Sequence, residues 1–257
     1  MPFCADLFYH LYNGEPGGFV FPVILLHGAG GSLIGWPANL RRLPSQRVFA
    51  LDLPGHGHSA PPACRSMRSL VRSLHQFIVG IGFYHVALVG YSLGGALALS
   101  YASAYPEQVI ALICISCGYQ FNMAQEILVS LHKSADTRKA IEAFSKAAFH
   151  PAFPQAERRA ILAPMLRIGP DVLLADFSIA ADFCFYPQPC LTNIPSLIIG
   201  GSSDVITPPA SLRQLGQYLP ESTVSILPEA GHMLVYEKNE ELITKVSAFL
   251  DRVNKPG

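Results

Sequence analysis

Val86-Ala87-Leu88-Val89-Gly90-Tyr91-Ser92-Leu93-Gly94-Gly95 is an apolar run that ends in Gly-x-Ser-x-Gly, and the stretch Ala96 to Ala104 behind it is helix-forming. A short apolar run without polar alternation predicts a strand covered on both faces. A serine held between two glycines at a strand-to-helix turn predicts a sharp, strained corner. Any side chain at Gly90 or Gly94 would collide with the backbone crowded around it. Such a corner lifts the Ser92 hydroxyl out of the sheet. It also aims the Leu93 amide and the positive end of the next helix at the place where an oxyanion would form. Ser92 is the candidate nucleophile and Leu93 a candidate oxyanion donor.

Three further turns follow apolar runs in the same way. His27-Gly28-Ala29-Gly30-Gly31 follows Val23-Ile24-Leu25-Leu26, and its glycines let backbone amides, that of Ala29 among them, point into a cavity. Asp204 follows Leu197-Ile198-Ile199-Gly200-Gly201, and His232 follows Thr223-Val224-Ser225-Ile226-Leu227. A serine hydroxyl is a poor nucleophile at neutral pH and needs a base; imidazole, unperturbed at about 6.5, suits the task. In this reading His232 takes the Ser92 proton, Asp204 fixes the imidazole tautomer, and the Ala29 and Leu93 amides bind the oxyanion. No metal or organic cofactor is required. Asp52, which opens a Pro-Gly turn, and Asp182, on a helix, are read as structural alternatives to Asp204. His56 and His58 lack a nearby cysteine or third histidine, so a turn role is preferred to metal ligation.

The rest of the chain alternates. An extended segment from Phe3 to Tyr12 precedes expected strands at 23–26, 47–51, 86–90, 109–115, 196–200 and 223–227. Helical segments fall near 33–41, 66–81, 93–104, 210–219 and 238–252, the last with Leu242, Val246, Phe249, Leu250 and Val253 on one face. The alternation demands right-handed crossovers and a mostly parallel sheet flanked by helices. Residues 119–189 break the rhythm with four helical patterns: Asn122 to His132, Thr137 to Phe149, Pro154 to Ile168 and Asp171 to Phe183. Pro154 suits a first turn, whereas Pro164 should kink or end its helix.

These motifs resemble the α/β-hydrolase superfamily, through His27-Gly28, Asp52-Leu53-Pro54-Gly55-His56-Gly57-His58-Ser59, the elbow at Ser92, Asp204 and Gly231-His232. The resemblance spans roughly residues 5–118 and 190–253, and five motifs in one order are far more specific than any alone. It implies an α/β-hydrolase core at 1–118 and 190–257 and a helical cap at 119–189, as in the lidded esterase, carbon-carbon hydrolase and haloperoxidase-like branch. Most apolar cap residues, such as Leu128, Leu131, Leu173 and Ala181, should pack the cap itself. Gly30, Trp36, Met123, Ile127, Leu174, Phe177 and Met233 are the candidates to line an apolar pocket above Ser92. The expected activity is hydrolysis of a small or medium carboxylic ester. The alternatives are carbon-carbon hydrolysis of vinylogous diketones and a slow-turnover small-molecule receptor. Met233 departs from the carbon-carbon hydrolase pattern, which places a tryptophan after the histidine. A serine at position 92 also sets the chain apart from the dehalogenases and epoxide hydrolases, whose nucleophile is a carboxylate.

Composition sets the outer bounds. With 257 residues and 50% hydrophobic content the chain can bury a sizeable core, read as one domain with an insertion. Lys plus Arg and Asp plus Glu are 18 each, which leaves no basic field for nucleic acid. No apolar stretch reaches the ~20 residues of a membrane span, and the first residues carry no basic-then-apolar secretory pattern. The expected partner is a small carbonyl compound. Six cysteines without zinc-type pairing are read as buried or idle thiols in a reducing cytoplasm.

Overall fold

The computed structural model describes residues 3–13, 21–123, 125–134 and 136–254. Its apolar runs form the middle of an eight-stranded sheet. The strands are β1 (Phe3–Cys4), β2 (Leu7–Tyr12), β3 (Pro22–Leu26), β4 (Arg47–Leu51), β5 (Val86–Tyr91), β6 (Val109–Ile115), β7 (Ser196–Gly201) and β8 (Ser222–Leu227), in spatial order β1-β2-β4-β3-β5-β6-β7-β8. From β4 to β8 the ladder is parallel, and β2 pairs antiparallel with β1 and β4. The single extended segment expected over Phe3 to Tyr12 is in fact a small hairpin. Ala5 and Asp6 both sit at positive φ (47° and 64°) and reverse the chain between β1 and β2.

The α-helices are α1 (Ala38–Arg41), α2 (Met67–Gly80), α3 (Leu93–Ala104), α4 (Gln125–Ser134), α5 (Thr137–Ala148), α6 (Gln155–Leu162), α7 (Pro170–Asp182), α8 (Pro209–Tyr218), α9 (Leu234–Glu237) and α10 (Asn239–Asn254). The helix expected over 33–41 is broken into a 3-10 turn at Leu33–Gly35 and the single turn α1. Trp36 is extended (φ −72°, ψ 134°), because the Pro37 ring excludes the helical region for the residue before it. Pro164 acts as expected: α6 ends at Leu162 and a 3-10 turn, Ala163–Arg167, takes over. Among the described residues no helix is long and apolar enough to cross a membrane.

Alternation along the buried strands sends side chains to two cores. Val23 and Leu25 face Leu40, Leu242, Val246 and Phe249 on one side of the sheet. Ile24 and Leu26 face the other, with Leu70, Leu74 and Phe77 of α2, Leu93 and Leu97 of α3, and Leu212 and Leu215 of α8. Helices α4 to α7 fall between β6 and β7, and an isolated bridge between Gln120 and Cys184 brings the ends of this insertion together. Ile127, Leu131, Phe144 and Phe177 of the insertion join the same apolar cluster as Leu93 and Leu97, so the insertion packs continuously onto the carboxyl ends of the strands.

The tightest backbone approach in this architecture is at the β5–α3 corner. A Cβ on Gly90 would run into the Gly94 carbonyl, and one on Gly94 into the Leu26 and His27 carbonyls. Gly94→Ala is therefore expected to destabilise the fold by about 3 kcal/mol. The check is a lower denaturant midpoint at an unchanged m-value.

Candidate active site

The corner between β5 and α3 places Ser92 at φ 53°, ψ −118°, in the left-handed half of conformational space that a non-glycine residue occupies only under constraint. Three backbone bonds hold it there: the Ser92 amide donates to the Ile115 carbonyl at 2.8 Å, and the Ser92 carbonyl accepts from the Gly95 amide at 2.8 Å and the Ala96 amide at 3.1 Å. The hydroxyl lies 2.8 Å from His232 Nε2, and His232 Nδ1 lies 2.8 Å from Asp204 Oδ2. A carboxylate only accepts, so Nδ1 carries the proton and Nε2 is left to accept from the Ser92 hydroxyl. Asp204 is held by its own turn. Its Oδ1 accepts from the Ile206 and Thr207 amides, both at 2.8 Å, and its Oδ2 from the Thr207 hydroxyl at 2.6 Å. Ser92, Asp204 and His232 are all buried. Asp182 ends α7 with an exposed side chain, and the carboxylate that bonds the imidazole is that of Asp204.

The His232 loop is pinned from two directions. Glu237 accepts from the Gly231 amide at 3.1 Å and from the His150 amide at 2.9 Å, while the Met233 amide donates to the Ala148 carbonyl at 2.9 Å. The Tyr91 hydroxyl donates to the His232 carbonyl at 3.2 Å and to Met233 Sδ at 2.9 Å. Burial drives the Tyr91 phenol well above its ordinary range, which keeps it a donor.

The turn after β3 supplies the amides. Gly28 packs so closely on the corner that a Cβ there would lie 3.2 Å from Ser92 Cβ. The Gly31 amide donates to the Gly28 carbonyl at 3.0 Å and the Gly30 amide to Asp176 Oδ2 at 2.7 Å. Among the described residues the Ala29 and Leu93 amides have no partner. Asp52 is structural here: its carboxylate accepts from the Leu33 amide at 2.7 Å and the His58 amide at 2.9 Å, which locks the Pro-Gly turn beside the amide-rich one.

Above Ser92 lies a cavity of about 540 Å³. Its walls include Ala29, Gly30, Trp36, Met123, Phe144, Met165, Phe177, Ile206 and Met233, with Arg167 at the insertion side. Two residues expected in the wall are not there. Ile127 of α4 is fully buried in the apolar core, and Leu174, partly buried, packs against that same core. Trp36 both lines the cavity and belongs to the core. Sequence reasoning missed Thr207, Glu237 and the pair His56–Asp176. A hydroxyl three residues after an aspartate on a turn is a recognisable local bonding pattern, so Thr207 had a signal. Glu237 and Asp176 had none, since their partners lie on other elements.

Residues 23–245 match the model of the Alpha/beta hydrolase family. Among curated proteins the chain is 30% identical over 252 residues to the dihydrolipoyllysine-residue acetyltransferase component of the acetoin cleaving system of Pseudomonas putida, covering 92% of this chain but 65% of that protein. It is 28% identical over 254 residues to the 2-hydroxy-6-oxo-6-(2'-aminophenyl)hexa-2,4-dienoic acid hydrolase of Metapseudomonas resinovorans, covering 90% of this chain and 84% of that protein. The solved structure of a thermophilic esterase superimposes with a TM-score of 0.75 at 26% identity, covering 90% of each chain.

A serine hydroxyl bonded to a neutral imidazole beside unpaired amides should react with a fluorophosphonate. Intact-mass and peptide analysis are expected to find one adduct, on Ser92. Adduct formation should slow at least 100-fold in His232→Ala, and labelling spread over several serines would contradict a single activated hydroxyl.

Proposed function

Because the chain belongs to the alpha/beta hydrolase family, we propose that it is a serine hydrolase of small or medium carboxylic esters acting through an acyl-enzyme. The observation that carries this reading is the unbroken bond series Ser92–His232–Asp204 under an apolar cavity with two free amides beside the serine. Ser92 attacks the ester carbonyl as its proton passes to His232 Nε2. The charge that forms on the imidazole is stabilised by Asp204, and the charge on the carbonyl oxygen by the amides of Ala29 and Leu93, at about 3 kcal/mol per donor. The imidazolium then protonates the leaving alcohol. Water, deprotonated by the same histidine, releases the acid.

Residues 119–189 serve as the cap, and they supply Met123, Phe144, Met165 and Phe177 to the acyl pocket. A volume of about 540 Å³ suits a small or medium substrate. The likeness to the Metapseudomonas resinovorans hydrolase favours carbon-carbon hydrolysis as a second reading. Against it stands Met233, whose sulfur is engaged by Tyr91 where that class is expected to carry a tryptophan.

A panel of p-nitrophenyl esters of graded acyl length, run beside a vinylogous diketone, separates the two. Turnover is expected on short and medium esters, and Ser92→Ala should lower kcat by about 10⁴-fold or more. Faster turnover of the diketone would put the second reading first, and an acylation burst without turnover would mark a receptor.

The acid is tested by a pair of variants. Asp204→Asn removes the charge that faces the imidazolium and should lower kcat by up to about 10⁴-fold. Asp182→Asn should stay within about twofold of wild type, because its side chain is exposed at the end of α7 and the imidazole bonds to Asp204 instead. The reverse result would reassign the acid.

A further inference from the structure

Beneath the amide-rich turn lies a buried polar cluster that the proposed reaction leaves unused. Asp176, on α7, points its Oδ2 at the Gly30 amide (2.7 Å) and at His56 Nε2 (2.9 Å), so one oxygen joins the insertion to two different turns of the core. Asp176 and His56 are each 3% exposed. Gly30 is at φ 62°, and a Cβ there would lie 2.7 Å from Leu173 Cδ2 and 2.7 Å from Met165 Cε, so the insertion presses directly on this backbone. The neighbouring Ala29 amide is the one left free.

We infer that Asp176 is a positioning residue for the oxyanion-binding turn: paired with a charged His56, it fixes the Gly30 amide and thereby orients the Ala29 amide towards Ser92. The inference rests on the esterase reading above for the role of Ala29.

Geometry assigns the charge. His56 Nδ1 faces the Pro54 carbonyl at 3.2 Å and Nε2 faces Asp176; both partners only accept, so both ring nitrogens carry protons. His27, whose ring lies 4.9 Å from that of His56, is built the opposite way. Its Nδ1 donates to the Gly28 carbonyl (2.8 Å) and its Nε2 accepts from the Leu53 amide (3.0 Å), so it is neutral. Burial and the charge of His56 hold His27 down at about 3. Burial opposes the charge on His56, but the charge and bond of Asp176, the Pro54 carbonyl and the charge of Asp52 outweigh it and leave its pKa above the ordinary value. Cys64, which also feels Asp176, has its thiol pushed up by burial and by that carboxylate, so it adds no charge at neutral pH.

An isolated carboxylate beside this turn would repel an oxyanion, and the imidazolium cancels it. The folded pKa of His56 is raised. The pairing is therefore complete below about pH 6.5, the unperturbed value, and is lost as pH rises through the folded pKa. The proposed consequence is a falling alkaline limb in kcat.

The test uses the full-length protein, a p-nitrophenyl ester, and two ketones of equal size. A trifluoromethyl ketone forms a hemiketal oxyanion on the serine, and a methyl ketone serves as its ground-state control. Asp176→Ala should lower kcat by about 10- to 100-fold with KM within threefold, and weaken the trifluoromethyl ketone about 10-fold or more while leaving the methyl ketone within twofold. Asp176→Asn, which keeps an acceptor for Gly30, should recover part of the loss. His56→Gln, which can donate but not titrate, should remove the alkaline limb. If Asp176→Ala does not fold, Asp176→Asn and His56→Gln carry the same readouts. Wild-type kcat in all three variants, or equal weakening of both ketones, would overturn the proposal. If the wild type hydrolyses no ester, the esterase reading falls. The rate of fluorophosphonate addition to Ser92, compared across the same variants, then decides the role of Asp176 separately: a 10-fold or greater drop supports it, and an unchanged rate rejects it.

Discussion

The close contact between the end of β3 and the start of α3 governs the site. Gly94 lies directly against the carbonyls of Leu26 and His27, and Gly90 against that of Gly94. Because no Cβ intervenes, the turn that follows β3 lies alongside the first turn of α3, and Ala29 and Ser92 come to line one cavity. The same crowding holds Ser92 at positive φ. Strain of this kind persists only where the surroundings over-determine it. Here the bonds from Ser92 to Ile115 and Gly95 tie the corner to β6 and to α3.

Burial would make every charge in this region unfavourable if it were unpaired. Each buried carboxylate is accordingly given donors in fixed directions. Asp204 takes the Ile206 and Thr207 amides, the Thr207 hydroxyl and His232. Asp52 takes the Leu33 and His58 amides, and Asp176 takes Gly30 and His56. The three imidazoles differ in what their nitrogens face. His27 has one acceptor and one donor as partners, His56 two acceptors, and His232 a carboxylate on one side and a hydroxyl on the other. One residue type thus meets three different electrostatic environments in and beneath the wall of one cavity.

The insertion is bound to the site through backbone as well as side chains. Ala148 and His150, at the end of α5, bond to Met233 and Glu237, and Asp176 on α7 bonds to Gly30. Both halves of the proposed oxyanion and base machinery therefore rest on elements that lie more than 50 residues away in the chain, at α5 and α7. Any motion of these helices would be felt at the His232 loop and the Gly30 turn together.

The linear order of residues was enough to read the parallel sheet, the corner at Ser92, the amide-rich turn at 27–31, and the serine, aspartate and histidine now found in one bond series. Each is a local signal: an apolar run, small residues where backbone crowds backbone, and a polar residue on the turn that follows. The hairpin at Ala5 and Asp6 and the break at Trp36 were also local, but weak, because positive φ at a non-glycine residue and the effect of one proline are easily hidden in an otherwise regular pattern. The pocket wall was legible only in part. Helical spacing groups residues of one helix, as with Leu174 and Phe177 of α7, but does not tell which of them meets the cavity and which the core. Nothing in the sequence joined Asp176 to His56, 120 positions apart, or Glu237 to Gly231 and His150. Such pairs exist only once the insertion has docked, since it is low-dielectric burial between packed elements, rather than spacing along the chain, that makes each charge require its partner.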